Sequence, residues 1–168
     1  VLSLAAKNYP QIHFKVQVNS TRIIAKNLIN KEIDVAIVGG EIPNDFKKNL
    51  KVETFLNDEF RLIVGKSNPF KTQQSITKPE LYDLNFISLN ANSTIREFIE
   101  SILSQNDIEP KKFKIIMELN SIEAIKTAVS LGLGAAFVSS SAIEKEIELK
   151  KIQIIKIENI QIARQIFL

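Results

Sequence analysis

Residues 113–138 read FKIIMELNSIEAIKTAVSLGLGAAFV and hold a strand, a helix and a second strand in one pass. Phe113 to Leu119 is an extended apolar segment, and Asn120-Ser121 breaks it. Ile122 to Leu131 then carries apolar residues at helical spacing, closed by Gly132. Ala135 to Val138 is a short continuous apolar run, which suits a strand covered on both faces. A strand that returns through a helix to a further strand is the building unit of an α/β fold with a parallel sheet.

The same alternation extends in both directions. Phe86 to Leu89 predicts a strand, and Ile95, Phe98, Ile99, Ile102 and Leu103 fall at i, i+3, i+4, i+7 and i+8 of an amphipathic helix. Downstream, Ser141 to Ile147 predicts a short helix, with final strands at Ile152 to Ile157 and Ile162 to Phe167. Upstream, Pro69 and Pro79 bracket a loop with a helical turn around Pro79 to Tyr82. Val52 to Leu56 and Phe60 to Val64 read as two extended segments broken by a turn at Asn57-Asp58-Glu59.

Nearer the start, Val1 to Asn8 reads as the end of a helix. Ile12, Phe14, Val16 and Val18 alternate with polar residues, the period-two mark of a half-buried strand with His13 on the solvent side. Arg22 to Asn30 places Ile23, Ile24, Leu28 and Ile29 on one helical side, and Asp34 to Val38 predicts a strand ending at Gly39-Gly40. Two alternating units joined by two extended crossings imply two small α/β subdomains with a cleft. The first takes residues 1–51 with about 159–168; the second takes 52–158, with crossovers near 52–56 and 155–160. Asn19-Ser20-Thr21 and Asn92-Ser93-Thr94, each followed closely by an Arg, occupy equivalent places in the two units.

Composition narrows the chemistry. The 168 residues include 22 Lys and Arg, 19 Asp and Glu, one His, no Cys and no Trp. Without Cys there is no disulfide, thiol nucleophile or thiolate metal site, and a single His leaves little for a Ser-His-Asp hydrolase or a His-rich metal centre. No apolar run approaches the ~20 residues of a membrane span, which predicts a soluble chain. The net charge of +3 is spread along the sequence and is carried mostly by Lys, so no stretch reads as a nucleic-acid surface.

Polar residues gather where strands pass into helices: Asn19-Ser20-Thr21, Gly39-Gly40, Asn92-Ser93-Thr94, Asn120-Ser121 and Ser139-Ser140-Ser141. In open α/β sheets ligands bind beyond the carboxyl ends of the strands, where helix N-termini present free N–H groups. Such junctions can hold a small anionic ligand. Helix capping accounts for the same residues, since Thr94 with Glu97, Asn120 with Glu123 and Ser141 with Glu144 match the capping-box spacing. Arg22, Arg96 and Lys126 lie near helix starts, where they can either complement an anion or stand as solvated charges. No phosphate-loop or dinucleotide glycine motif is present. Asp58 and Glu59 have no His or Lys arranged beside them in the sequence, and no catalytic constellation emerges, so the chain does not read as an enzyme.

Asn8-Tyr9-Pro10, Asn19-Ser20-Thr21, Asp34-Val35-Ala36-Ile37-Val38, the stretch Glu118 to Lys126 and Gly132 to Ser139 together resemble the effector-binding domain of LysR-type transcriptional regulators. Val38-Gly39-Gly40-Glu41-Ile42-Pro43 is similar to the branch that regulates the Rubisco operon, including plastid-encoded members, and the Ile, Lys and Asn bias fits a plastid genome. The resemblance implies two Rossmann-like subdomains in a periplasmic-binding-protein type II-like arrangement, no cofactor, and a plastid stroma or bacterial cytoplasm as location. It implies that a strand precedes Val1 and that a winged helix-turn-helix, absent from these residues, binds promoter DNA. Effector contacts are implied at Asn19, Ser20 and Thr21, at Asn92, Ser93 and Thr94, and near Gly39 and Gly40, with Arg96 close by. The implied effector is a phosphorylated Calvin-cycle metabolite such as ribulose bisphosphate, or NADPH. A homodimer or homotetramer is implied, with Ile23, Leu28, Ile125 and Val129 at a helix-to-helix contact or, equally, in the core. The alternatives are a solute-binding protein of a transporter and, behind it, a two-lobed enzyme related to porphobilinogen deaminase or prephenate dehydratase.

Overall fold

A computed structural model describes residues 2–39 and 42–168, so Val1, Gly40 and Glu41 lie outside the described residues. The chain divides into two compact units, 1–36 with 41–51, and 37–40 with 52–168.

The first unit contains α1 (Leu2–Asn8), α2 (Thr21–Ile29) and α3 (Asn44–Lys47). Helix α2 forms where the apolar spacing places it, with Ile24 and Ala25 buried and Ile23 left 48% exposed. Residues 12–18 do not form the expected strand. Ile12, Phe14, Val16 and Val18 are exposed, Val18 to 92%, and among the described residues no strand lies beside them. Alternation specifies a face, but a strand exists only when a neighbour completes its hydrogen bonds. The expected strand at Asp34 to Val38 shrinks for the same reason to a bridge between Val38 and Phe167, leaving Val35 and Ile37 exposed.

The second unit is built on one sheet. Its strands are β1 (Thr54–Gly65), β2 (Ser75–Ile76), β3 (Asn85–Leu89), β4 (Lys114–Leu119), β5 (Ala135–Ser139), β6 (Ile152–Ile157) and β7 (Ile162–Phe167). The order is β2-β6-β1-β5-β3-β4, with β7 also paired to β1. Strands β3, β4 and β5 are parallel, joined by α4 (Thr94–Gln105) and α5 (Ile122–Ser130), as the repeated strand-helix pattern predicts. Gly132 ends α5 at φ +81°, a left-handed conformation that glycine adopts without steric cost, and its N–H reaches the Val129 carbonyl at 2.8 Å.

The predicted break at Asn57-Asp58-Glu59 is overturned. All three residues lie inside β1, whose first half pairs antiparallel with β7 and whose second half pairs with β5 and β6. Strand β7, expected to belong with the first segment, therefore stands in the second unit. The predicted helix from Ser141 to Ile147 is a 3-10 turn at Ser140–Ala142 followed by α6 (Glu144–Glu148).

Alternation along β1 divides the core. Phe60, Leu62 and Val64 pack with Ile99 and Leu103 of α4, while Ile63 packs on the other face with Ile125 and Val129 of α5. Phe86 stacks between Phe113 and Phe137, with centroids 4.5 and 5.8 Å away. Ile125 and Val129 are fully buried here and so belong to this core rather than to a contact with another protomer. Burying an aliphatic side chain of this size contributes about 1.5–3 kcal/mol, which accounts for their presence without an interface.

Candidate functional site

Because β3, β4 and β5 run parallel, Leu89, Leu119 and Ser139 end on the same edge of the sheet, where α4 and α5 begin. The capping residues differ by one position from the expected boxes. Ser93, not Thr94, caps α4 by accepting the Arg96 N–H at 3.4 Å; Ser121, not Asn120, caps α5 by accepting the Ala124 N–H at 3.4 Å. Ser141 caps no helix. Thr94 is exposed at the first helical position, and among the described residues its hydroxyl has no partner. The Asn90 side-chain amide donates to the Asn120 side-chain carbonyl, and the Asn92 N–H donates to Asn90 at 3.0 Å, so the two loops along this edge are tied together.

Two expected anion-binding cations are already occupied. Arg96 donates to the Leu89 carbonyl at 2.9 Å, to Glu100 at 2.7 Å and to Glu118. Burial works against its charge, but hydrogen bonds to Glu100 and Glu118 outweigh that, and its pKa is held above the ordinary arginine value. Lys126 is buried and donates to the Ala142 carbonyl at 2.8 Å, with Glu123 at 2.8 Å and Glu146 at 3.1 Å. It ties α5 to the turn after β5 and is neither a solvated charge nor open to a ligand. Arg22, in the first unit, is exposed 3.8 Å from Asp45 and lies over the Phe46 ring.

The densest polar arrangement lies where the sequence predicts a turn. Asp58 of β1 stands opposite Arg164 of β7, and its side chain is 2% exposed. Arg164 reaches Oδ2 through Nε at 3.1 Å and Nη2 at 3.0 Å, donates from Nη1 to the Gly39 carbonyl at 3.0 Å, and covers the Phe60 ring. The other Asp58 oxygen accepts from the Ser139 hydroxyl, and Ser139 and Ser141 Oγ are 2.8 Å apart. A hydroxyl carries one hydrogen, so with Ser139 donating to Asp58 it is Ser141 that donates to Ser139. A continuous relay thus runs Ser141, Ser139, Asp58, Arg164, Gly39. Burying a carboxylate is costly unless charge and hydrogen bonds answer it, and here both do.

This relay brings together Gly39 and the Ser139 to Ser141 junction, both marked by the sequence, with Asp58 and Arg164, which sequence reasoning missed. The available signal was register: polar residues including Asp58 inside a long, otherwise largely apolar stretch, and a single Arg within the final strand, two charges in need of a buried partner. Asn92, Ser93 and Thr94 lie on the carboxyl edge of this unit with Arg96 beneath them, while Asn19, Ser20 and Thr21 belong to the first unit, where Ser20 precedes α2 without a side-chain cap. The edge offers hydroxyls and helix N–H groups, the donors that hold small polar ligands. Among the described residues no cluster of three acids or histidines is placed to hold a metal. No helix among them is long and apolar enough to cross a membrane.

Comparison with known proteins supplies the context. The family model described as LysR substrate binding domain matches residues 1–168. A probable RuBisCO transcriptional regulator of Phaeodactylum tricornutum is 71% identical over 164 residues, covering 98% of this chain and 53% of that protein. One from Gracilaria tenuistipitata is 49% identical over 166 residues, covering 99% of this chain and 54% of that protein. The chain therefore spans about half the length of these curated relatives. Among solved structures, the Synechocystis CcmR regulatory domain in complex with 2-PG superposes with a TM-score of 0.79 at 23% identity, covering 99% of this chain and 77% of that one. Full-length BenM superposes with a TM-score of 0.77 at 18% identity, covering 99% and 54%.

Proposed function

We propose a function from one premise: the chain belongs to the LysR substrate-binding domain family. It is an effector-binding regulatory domain of the periplasmic-binding-protein type II-like α/β class. In this reading it senses a small anionic metabolite, either phosphorylated or NADPH, and through that signal controls transcription of the Rubisco operon. The observation that carries the reading is the 71% identity, across nearly the whole chain, to a probable RuBisCO transcriptional regulator. The organisms of such relatives support a plastid stroma as the location.

The site proposed for the effector is the carboxyl edge of the second unit's sheet. With Arg96 held by Glu100 and Glu118, the anion is met by hydroxyls and backbone N–H groups at the start of α4, where Thr94 is open and the dipole of a 12-residue helix favours negative charge. Promoter DNA is bound through a winged helix-turn-helix elsewhere in the full protein, which acts as a dimer or tetramer. An effector changes DNA binding only through unequal affinity for two arrangements of that assembly. The names of the relatives favour this reading over transport or catalysis.

The test is retardation of the DNA upstream of the Rubisco genes by the intact protein, with and without ribulose bisphosphate, 2-PG or NADPH. At least one compound is expected to alter the affinity or the pattern of complexes. Retardation indifferent to all three, or no preference over scrambled DNA, defeats the proposal.

A further inference from the structure

Strands β1, β6 and β2 carry a second polar site on the sheet face opposite α4. Leu62 pairs with Ile155 in the antiparallel register of β1 and β6, which sets Arg61 beside Lys156. The parallel pairing of β2 with β6 sets Ser75 beside the same Lys156. Residues of the turn at Ser140–Ala142 and of α6 line, with this row, an open groove of about 770 Å³ that includes Arg61, Ser75, Ser141, Glu144, Ile147 and Lys156. That volume lies within the ~300–1,000 Å³ of small-molecule sites.

The charges select a ligand class. Arg61 engages Glu59 through one nitrogen at 2.6 Å and keeps further donors; Lys156 has no ion-pair partner among the described residues. Two cations and a hydroxyl come from three strands, with Glu144 of α6 the acid in the lining. A phosphate, with three oxygens and more than one negative charge, answers two cations where a carboxylate carries a single charge. Ile147 and Ile154 supply the apolar side against which a carbon skeleton can rest. We infer that this groove is a binding site for a small phosphorylated molecule, with its phosphate between Arg61 and Lys156. It goes beyond the proposed effector edge and shares none of the α4 residues with it. Ser141, which lines the groove, is hydrogen-bonded to Ser139, and Ser139 to Asp58.

Hydrogen exchange of the intact protein tests this, read by mass spectrometry on peptides spanning Ser75–Ile76 and Ile152–Ile157. Inorganic pyrophosphate is the probe, with acetate at matched ionic strength as the comparison. Pyrophosphate is expected to slow exchange in both peptides and acetate to leave them unchanged. Replacing the exposed Lys156→Gln is expected to raise the half-saturating pyrophosphate concentration by about tenfold, the effect of losing one charge-assisted contact, and Lys156→Arg is expected to retain binding. No protection by pyrophosphate, equal protection by acetate, or an undiminished response in Lys156→Gln overturns the inference.

Discussion

Arg164 places both Nε and Nη2 on a single oxygen of Asp58, at 3.1 and 3.0 Å, leaving the second oxygen for the Ser139 hydroxyl and Nη1 for the Gly39 carbonyl. Each polar group in the contact has a partner, and no member can be lost without stranding another. Removing one partner of a buried ion pair costs about 3–5 kcal/mol, because an uncompensated charge remains. Arg164 keeps some contact with water at 17% exposure, so the lower end of that range applies. Asp58→Asn is expected to destabilise the protein by about 3 kcal/mol in urea unfolding, and the double replacement with Arg164→Met to recover part of the loss. A cost below the error of the measurement, or strictly additive replacements, would show the pair to be incidental.

A side chain at Gly39 would meet Arg164 in the same contact. A Cβ built there stands 2.8 Å from the Arg164 Cζ, closer than real contacts allow. Gly39→Ala is therefore expected to push the guanidinium away from the Gly39 carbonyl and to lower stability by roughly 1–2 kcal/mol, the worth of one charged hydrogen bond. In an Arg164→Ala background the same change is expected to cost almost nothing. The double-mutant cycle decides: equal penalties in both backgrounds contradict the contact.

What the sequence disclosed and what it withheld divide along local and non-local information. Helix α4 was legible because Ile95, Phe98, Ile99, Ile102 and Leu103 specify one face without reference to anything else. Asn57-Asp58-Glu59 looked like a turn because three polar residues in a row normally are one, and Asp58 is acceptable in a strand only through Arg164, 106 residues further on. Residues 12–18 show the converse, an alternation that is correct as a pattern but has no strand beside it among the described residues. The caps moved by one position because Ser93 and Thr94 are both competent, and only backbone geometry chooses between them. Arg96 and Lys126 are visible as cations, each with one carboxylate on its own helix, Glu100 and Glu123, but the second carboxylate of each, Glu118 and Glu146, comes from another element.

Glu146 and Lys126 give the protein a pH dependence whose sign follows from their environment. Burial raises the Glu146 pKa, but the hydrogen bond from Lys126 and its positive charge outweigh it, so the carboxyl sits below the ordinary value of 4.5. Its stabilising contribution is thus present above that value and is lost as pH falls through the lower folded one. Lys126, likewise raised against the opposing effect of burial, contributes below the ordinary lysine value of 10.5 and loses that contribution as pH rises through the higher folded one. Glu146→Gln is expected to flatten the acid limb of a stability curve recorded by urea unfolding between about pH 3 and 6. An acid limb as steep as that of the parent protein refutes the assignment.

Ser93 and Thr94, adjacent in sequence, are expected to separate stability from binding. Ser93 caps α4, so Ser93→Ala removes an acceptor from the first turn and is expected to cost about 1 kcal/mol of stability. Thr94 has an exposed hydroxyl without a partner among the described residues, so Thr94→Val leaves the helix intact and is expected to change stability by less than about 0.5 kcal/mol. If the anionic effector is bound at the start of α4, the same replacement weakens it by about tenfold or more, the loss of one hydrogen bond to a charged group. Calorimetry of the intact protein with ribulose bisphosphate or 2-PG, beside thermal unfolding of both variants, measures the two effects separately. Unchanged affinity in Thr94→Val removes that hydroxyl from the site, while unchanged stability in Ser93→Ala removes the cap. The two outcomes are independent because one hydroxyl faces its own backbone and the other faces solvent.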